Sequence, residues 1–160
     1  MMGMIPRFLD MMPLDFFILA LPYTLLDQDA LDVELPACEE HDVGIVIGAV
    51  FASGILVTGP TENATYKYAP ATEEIMEKTR NIQLICERHG VSLAAAALQF
   101  PLGHPCVASV IPGAIQPAYV ASNLENYRQV IPGDLWAELK HEGLLREDAP
   151  VPAGEGVSGI

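Results

Sequence analysis

The stretch from Val107 to Leu124 holds the residue types best suited to gripping a ligand. It reads Val107-Ala108-Ser109-Val110-Ile111-Pro112-Gly113-Ala114, then Gln116-Pro117-Ala118-Tyr119-Val120-Ala121-Ser122-Asn123-Leu124. A β-branched run that stops at Pro-Gly and resumes in a helical pattern predicts a buried strand opening onto a helix N-terminus. Unpaired amides and the positive end of the peptide dipoles make that junction an anion-binding geometry. Phe51-Ala52-Ser53-Gly54-Ile55-Leu56 is the second such stretch, because Ser53 and Gly54 are small enough to let a backbone approach a ligand closely.

Two other patterns invite chemistry and are read more plainly. Cys38-Glu39-Glu40-His41 and Cys86-Glu87-Arg88-His89 share a Cys-x-x-His spacing. Each closes a helix just before a turn and lies on a separate repeat of the fold, so no converging metal site is expected. Tyr66-Lys67-Tyr68 pairs phenols with an amine inside an irregular loop, and neighbours in a loop predict a lid or surface segment rather than a buried catalytic pair. His104 reads as a loop residue and Trp136 as core packing.

The elements that must position these residues follow from the periodicity. Residues 4–12 carry Ile5, Phe8 and Met12 at helical spacing, with no cap before them, which suggests a preceding segment. Phe16 to Leu21 predicts a strand buried on both faces, as in a parallel sheet. Asp29 is a plausible N-cap for a helix with Leu31, Leu35 and Cys38 on one stripe, broken or kinked at Pro36. Gly44 to Ala49 predicts a second strand, and residues 57–70 a long functional or mobile loop. Helices are expected from Thr72 to His89, from Ser92 to Phe100, over Pro117 to Tyr127 and over Gly133 to Leu145, with a third strand at Cys106 to Ile111. The Pro- and Gly-rich segment 148–160 reads as a disordered tail beyond a domain of residues 1–147. Strands alternating with helices, without hairpin signals, predict an α/β fold whose ligands sit at the C-terminal ends of parallel strands.

Composition narrows the partners. The 160 residues are 51% hydrophobic and carry 8 Lys and Arg against 21 Asp and Glu, a formal charge of −13. That charge repels phosphate backbones and anionic lipid, which argues against nucleic acid and membrane surfaces. Three widely spaced cysteines read as reduced thiols of a cytoplasmic protein. The apolar run Phe16 to Leu26 is interrupted by Pro22 and falls short of the roughly 20 residues needed to span a bilayer.

With Tyr23-Thr24-Leu25-Leu26-Asp27-Gln28, Phe51-x-Ser53-Gly54, Ala94-Ala95-Ala96 through Leu98-Gln99-Phe100-Pro101, and Val110-Ile111-Pro112-Gly113-Ala114 through Asn123-Leu124 in view, the chain resembles the C-terminal half of an aldo-keto reductase. Within that family it is similar to the bacterial D-threo-aldose, L-fucose and pyridoxal 4-dehydrogenase type. The resemblance covers roughly residues 4–152 and implies the last part of a (β/α)8 barrel, about three strands with their helices, without its N-terminal half. It implies an NAD(P)-dependent oxidoreductase acting on an aldose or related alcohol. Phe51, Ser53, Gly54 and Leu56 would belong to the cofactor-covering loop, and Pro112, Gly113, Gln116 and Asn123 to the adenine-end loop. Val50 and Ala52 depart from the Pro and Asn often found in relatives.

The family draws its catalytic Asp, Tyr, Lys and His from the first four strands, so no catalytic residue is assigned here and no hydride transfer is expected from this chain alone. Ile115 and Gln116 stand where NADP-using members commonly place a cation, which favours NAD. An opened barrel exposes two strand edges, and four uncovered Val, Ile or Leu side chains would forgo roughly 6 to 12 kcal/mol. Self-association or a complementary N-terminal half-barrel is therefore expected. The alternative is a non-catalytic half-barrel serving as an interaction module, or a decayed remnant.

Overall fold

The computed structural model describes residues 3–154. Helix α1 (Met4–Leu9) leads into strand β1 (Phe16–Ala20), a 3-10 turn at Asp29–Leu31, α2 (Glu34–Glu40) and β2 (Gly44–Gly48). A second 3-10 turn (Ala52–Gly54) runs into α3 (Ile55–Thr58), followed by β3 (Thr65–Tyr66) and β4 (Ala69–Pro70). Helices α4 (Glu73–Arg88) and α5 (Leu93–Gln99), a third 3-10 turn (Phe100–Gly103) and β5 (Val107–Ile111) come next, and α6 (Pro117–Arg128) and α7 (Gly133–His141) finish the order.

The main sheet has the order β1-β2-β5 and is parallel throughout. Parallel neighbours require crossover connections, which the intervening helices supply on one face. Ile45 and Ile47 point to that face and are fully buried. Phe16, Ile18 and Ala20 pair with Gly44, Val46 and Gly48 and share the opposite face, where Ser109 and Ile111 join them beyond a register shift at Ile45/Val46. That face is open: Phe16 is 58% exposed, Ile18 63% and Ile111 52%. The expectation that β1 is buried on both faces therefore fails, because β1 is an edge strand and helices cover only one side of the sheet.

Local chemistry explains the element ends. Thr72 and Ser92 cap α4 and α5 through side-chain oxygens that accept from Ile75 N and Ala95 N. Asp29 is not a helix cap; it starts the 3-10 turn, and its own amide donates to Asp27 Oδ1 at 3.0 Å. Pro36 sits in the first turn of α2, where its missing N–H removes no helical bond, so the break falls before it. Helix α1 stops at Leu9 rather than Met12, and α7 at His141 rather than Leu145, where Gly143 takes a left-handed φ of 67°.

Residues 57–70 are more ordered than the sequence suggests. They contain an antiparallel hairpin in which Thr65 pairs with Pro70 and Tyr66 with Ala69. Lys67 and Tyr68 form the tip at φ of 49° and 64°, the conformation usually supplied by Asn-Gly, so the familiar hairpin signal was missing. The segment after Asp148 also packs, since Ala149 is fully buried. Gly103 lies so close to the backbone of Val151 and Pro152 that a β-carbon there has no room. The part of the expected tail from residue 155 onward lies outside the described residues.

The core joins Tyr23, Phe100 and Trp136, with ring centroids 5.1 and 6.2 Å apart in succession. His104 lies in the loop that leads into β5, as expected, where it meets Tyr23 edge-on at 5.7 Å and is only 5% exposed. Burial pushes its pKa below the ordinary histidine value, with Glu39 opposing the shift. Between the folded value and the unfolded 6.5, the unfolded chain binds more protons, so stability rises with pH across that window and falls on acidification. The unfolding free energy is expected to drop as pH falls through 6.5 toward the lower folded value. Denaturant titrations should show a weaker slope in His104→Asn, and an unchanged slope would contradict the assignment.

The cysteines pack as small apolar side chains. Cys38 and Cys86 are buried and Cys106 is partly so. Burial raises their thiols to about 11, about 12 and about 12 respectively. Among the described residues no three His, Cys, Asp or Glu gather to hold a metal ion. His41 Nδ1 instead meets the Ala37 carbonyl at 2.9 Å, and His89 Nε2 meets Glu138 Oε2 at 2.6 Å. At about pH 8 an aromatic disulfide reagent should react slowly with the native chain and promptly with all the thiols after denaturation. Rapid native labelling would show an activated cysteine that this packing does not provide.

Candidate functional site

Strands β2 and β5 are neighbours, so the loops leaving their C-terminal ends emerge side by side. The loop after β2 is held in an uncommon backbone shape, with left-handed φ values at Ala49 (55°), Ala52 (49°), Ser53 (62°) and Gly54 (100°). Such conformations cluster at ligand clamps, where surrounding packing holds them. The Ala52 amide donates a hydrogen bond to Ala49 O and the Gly54 amide donates one to Phe51 O, each 2.9 Å, which fixes the turn. The loop after β5 runs through Pro112, Gly113 and Ala114 to α6.

Between the two loops lies a cavity of about 510 Å³. Phe51, Ser53 and Gly54 line it from one side, and Gly113 and Asn123 from the other. These five of the eight residues expected at a cofactor site are brought together. Asn123 Nδ2 reaches toward the Gly113 carbonyl in a long 3.5 Å contact that ties α6 to its loop. Pro112 instead faces a neighbouring groove on the outer edge of β5, which Asn123 also touches. Leu56 is fully buried in the core, and Gln116 is the exposed N-cap residue of α6.

The helix N-terminus offers less than its sequence implies. Pro117 has no N–H, and the Tyr119 amide donates to Gln116 O at 3.0 Å. The cavity gains other walls that the sequence reading did not single out. Tyr119, Ser122 and Asn126 line it together with Asn123, a spacing of i, i+3, i+4 and i+7 on one helical face. That periodicity, extended from Asn123, was the signal that could have found them. Asn126 is held in place by Ser92 Oγ, which donates to its Oδ1 at 3.0 Å. No lining residue of the cavity is charged.

Tyr68, at the hairpin tip, also lines this cavity, and Lys67 lines a second cavity of about 570 Å³ beside β1. Tyr66 and Lys67 converge on Asp27: Lys67 Nζ donates to Asp27 Oδ2 at 2.7 Å, and Tyr66 Oη approaches the same oxygen at 3.4 Å. The hydrogen bond to Asp27 raises the Lys67 pKa, and burial raises that of Tyr66, so Lys67 rests as ammonium and Tyr66 as neutral phenol.

Comparison with known proteins places the chain in a family. The chain matches the Aldo/keto reductase family over residues 5–141. It is 41% identical over 133 residues to D-threo-aldose 1-dehydrogenase from a Pseudomonas species, covering 82% of this chain and 40% of that protein. It is 39% identical over 132 residues to pyridoxal 4-dehydrogenase from Microbacterium luteolum, covering 82% of this chain and 39% of that one. The chain thus spans about two fifths of the length of these curated relatives. In fold it is similar to an aldo-keto reductase from Bacillus halodurans in its apo form, with a TM-score of 0.67 and 22% identity over 93% of this chain and 49% of that one. A glycerol dehydrogenase from Gluconobacter oxydans gives 0.66 and 16%, covering 95% and 48%. The three parallel strands and their crossover helices are therefore part of a (β/α)8 barrel, and the chain belongs to the aldo-keto reductase family.

Proposed function

We propose that this chain supplies the dinucleotide-binding part of an oxidoreductase that acts on an aldose or a related alcohol. The observation that carries the reading is the cavity between the loops after β2 and β5, at the C-terminal rim where α/β folds bind ligands. Its volume lies within the range of small-molecule sites, and its lining joins aromatic rings, amides and two glycines. Members of the family generally use a nicotinamide dinucleotide, which would supply the hydride chemistry. Phe51, Ser53, Gly54, Gly113 and Asn123 would hold it here. The catalytic Asp, Tyr, Lys and His would come from family strands other than these three, so turnover is proposed to need a completed barrel.

The uncharged lining favours NAD over NADP, since a 2′-phosphate placed there meets no cation. Among the described residues no helix is long and apolar enough to cross a membrane. The buried thiols suit the reducing cytoplasm, where we place the chain. Calorimetric titration of the chain is expected to show binding of NAD+, with NADP+ weaker by about ten- to a hundredfold. Gly113→Val should abolish binding and leave stability intact, because a β-carbon at Gly113 meets nothing within 4 Å. Equal affinity for both dinucleotides would remove the preference, and no binding of either would remove the reading.

The open sheet face supports a proposal about the partner. In a closed barrel the interior face of each strand is covered by the other strands. We propose that Phe16, Ile18 and Ile111 are covered by the remaining strands of such a barrel, whether from a complementary half or from a second copy. The chain on its own should therefore sediment as associated species at micromolar concentration, and Ile18→Lys with Ile111→Lys should reduce that association. A monodisperse monomer would contradict the proposal.

A further inference from the structure

The cavity of about 570 Å³ beside β1 contains none of the residues proposed to hold the dinucleotide. Consecutive residues from Phe17 to Pro22 line it and none from β2 does, so it follows the edge of β1 that has no strand partner among the described residues. Such an edge presents a row of backbone N–H and C=O groups that an extended segment can join. Ile5 and Phe8 of α1 complete its apolar walls.

One polar group in this lining is left incomplete. Glu34 is only 2% exposed, which is costly for a carboxyl group unless both oxygens are bonded. Its Oε1 accepts from the Gly3 amide, whereas its Oε2 has no hydrogen-bond partner among the described residues. Lys67, the one basic residue of the lining, is engaged by Asp27 and does not serve Glu34. Phe8 and Phe17 also line the cavity, with ring centroids 6.4 Å apart. An oxygen short of a donor beside aromatic rings suits a guanidinium, which offers planar N–H donors, stacks on rings and sheds water more readily than an ammonium.

We propose that the free edge of β1 receives an extended segment from the complementary part of the barrel, bearing an arginine whose guanidinium donates to Glu34 Oε2 and packs against Phe8 and Phe17. The inference rests on the barrel-completion reading given above and adds to it the chemistry by which the partner is recognised. Charge complementarity favours a basic occupant, since the chain carries 21 acidic residues against 8 basic ones. A second copy does not supply it, because neither of its edge strands, Phe16–Ala20 or Val107–Ile111, has a basic residue. Glu34 is thus an interface residue whose second oxygen is satisfied on assembly.

Fluorescence anisotropy of the 160-residue chain with labelled acetyl-Thr-Val-Arg-Val-Thr-amide, at about 0.15 M salt, tests it. The arginine peptide should bind at least about tenfold more tightly than its citrulline counterpart, the scale of a charged hydrogen bond. Glu34→Gln should erase that difference, while Glu62→Gln, which removes an exposed acid elsewhere, should keep it. N-methylation throughout the peptide backbone, which blocks pairing with the edge, should weaken binding by a similar factor. The melting temperature of Glu34→Gln should stay near that of wild type, because its side-chain oxygen still accepts the Gly3 amide. A lower melting temperature with the peptide difference intact would make Glu34 merely structural and overturn the pairing. Binding of n-butylguanidinium as tight as that of the peptide would make a free cation the ligand and overturn the segment. Loss of self-association in Glu34→Gln would make a second copy the occupant and overturn the complementary partner. If no peptide binds while association through Ile18 and Ile111 is seen, the Glu34 inference falls and the barrel-completion reading stands; if neither is seen, both fall.

Discussion

Parallel pairing of β1, β2 and β5 is the constraint from which the rest follows. Parallel neighbours cannot be joined by tight turns, so each strand is followed by a crossover that returns along the helical face. All the strands then end at the same rim, and loops far apart in sequence arrive there together. Ser53 and Gly113 share a cavity for that reason, as do Asn123 and Tyr68. The same constraint divides the sheet into a filled side, anchored by Ile45 and Ile47, and an open one bearing Ile18 and Ile111.

Much of this was legible in the residues themselves. The three apolar runs, Thr72 before Glu73 and Glu74, and Ser92 before an alanine-rich segment state local preferences that the fold keeps. Phe51, Ser53, Gly54, Gly113 and Asn123 could be grouped because turn residues after strands point to one rim. What stayed hidden depends on distant partners. The hairpin is stabilised by Ser53 and Asp27, roughly a dozen and forty positions from the residues they bind, and propensity at Lys67-Tyr68 argues against it. Ala149 is buried by contacts that composition cannot foresee, so a Pro- and Gly-rich segment looked disordered. The exposure of Phe16 and Ile18 was missed because an apolar run shows only that its surface wants cover.

The site combines rigid and strained parts. Helix α6 offers its polar face through ordinary spacing, while the loop after β2 holds several residues in left-handed conformations. A strained loop keeps its shape only where its neighbours determine it, and here they include the hairpin that bonds to Ser53. Family membership thus fixes the frame, and local bonding decides how open the mouth of the cavity is.

The close approach at Gly103 has a reach well beyond its own turn. Because the backbone of Val151 and Pro152 occupies the space where any other residue would carry its β-carbon, the two segments fit like a key in a slot. Adding one methyl group at Gly103 would push out the segment that carries Val151 and Pro152, uncovering the same surface as cutting the polypeptide before it. Position 103 is therefore a place where a single side chain and a deletion have the same structural meaning.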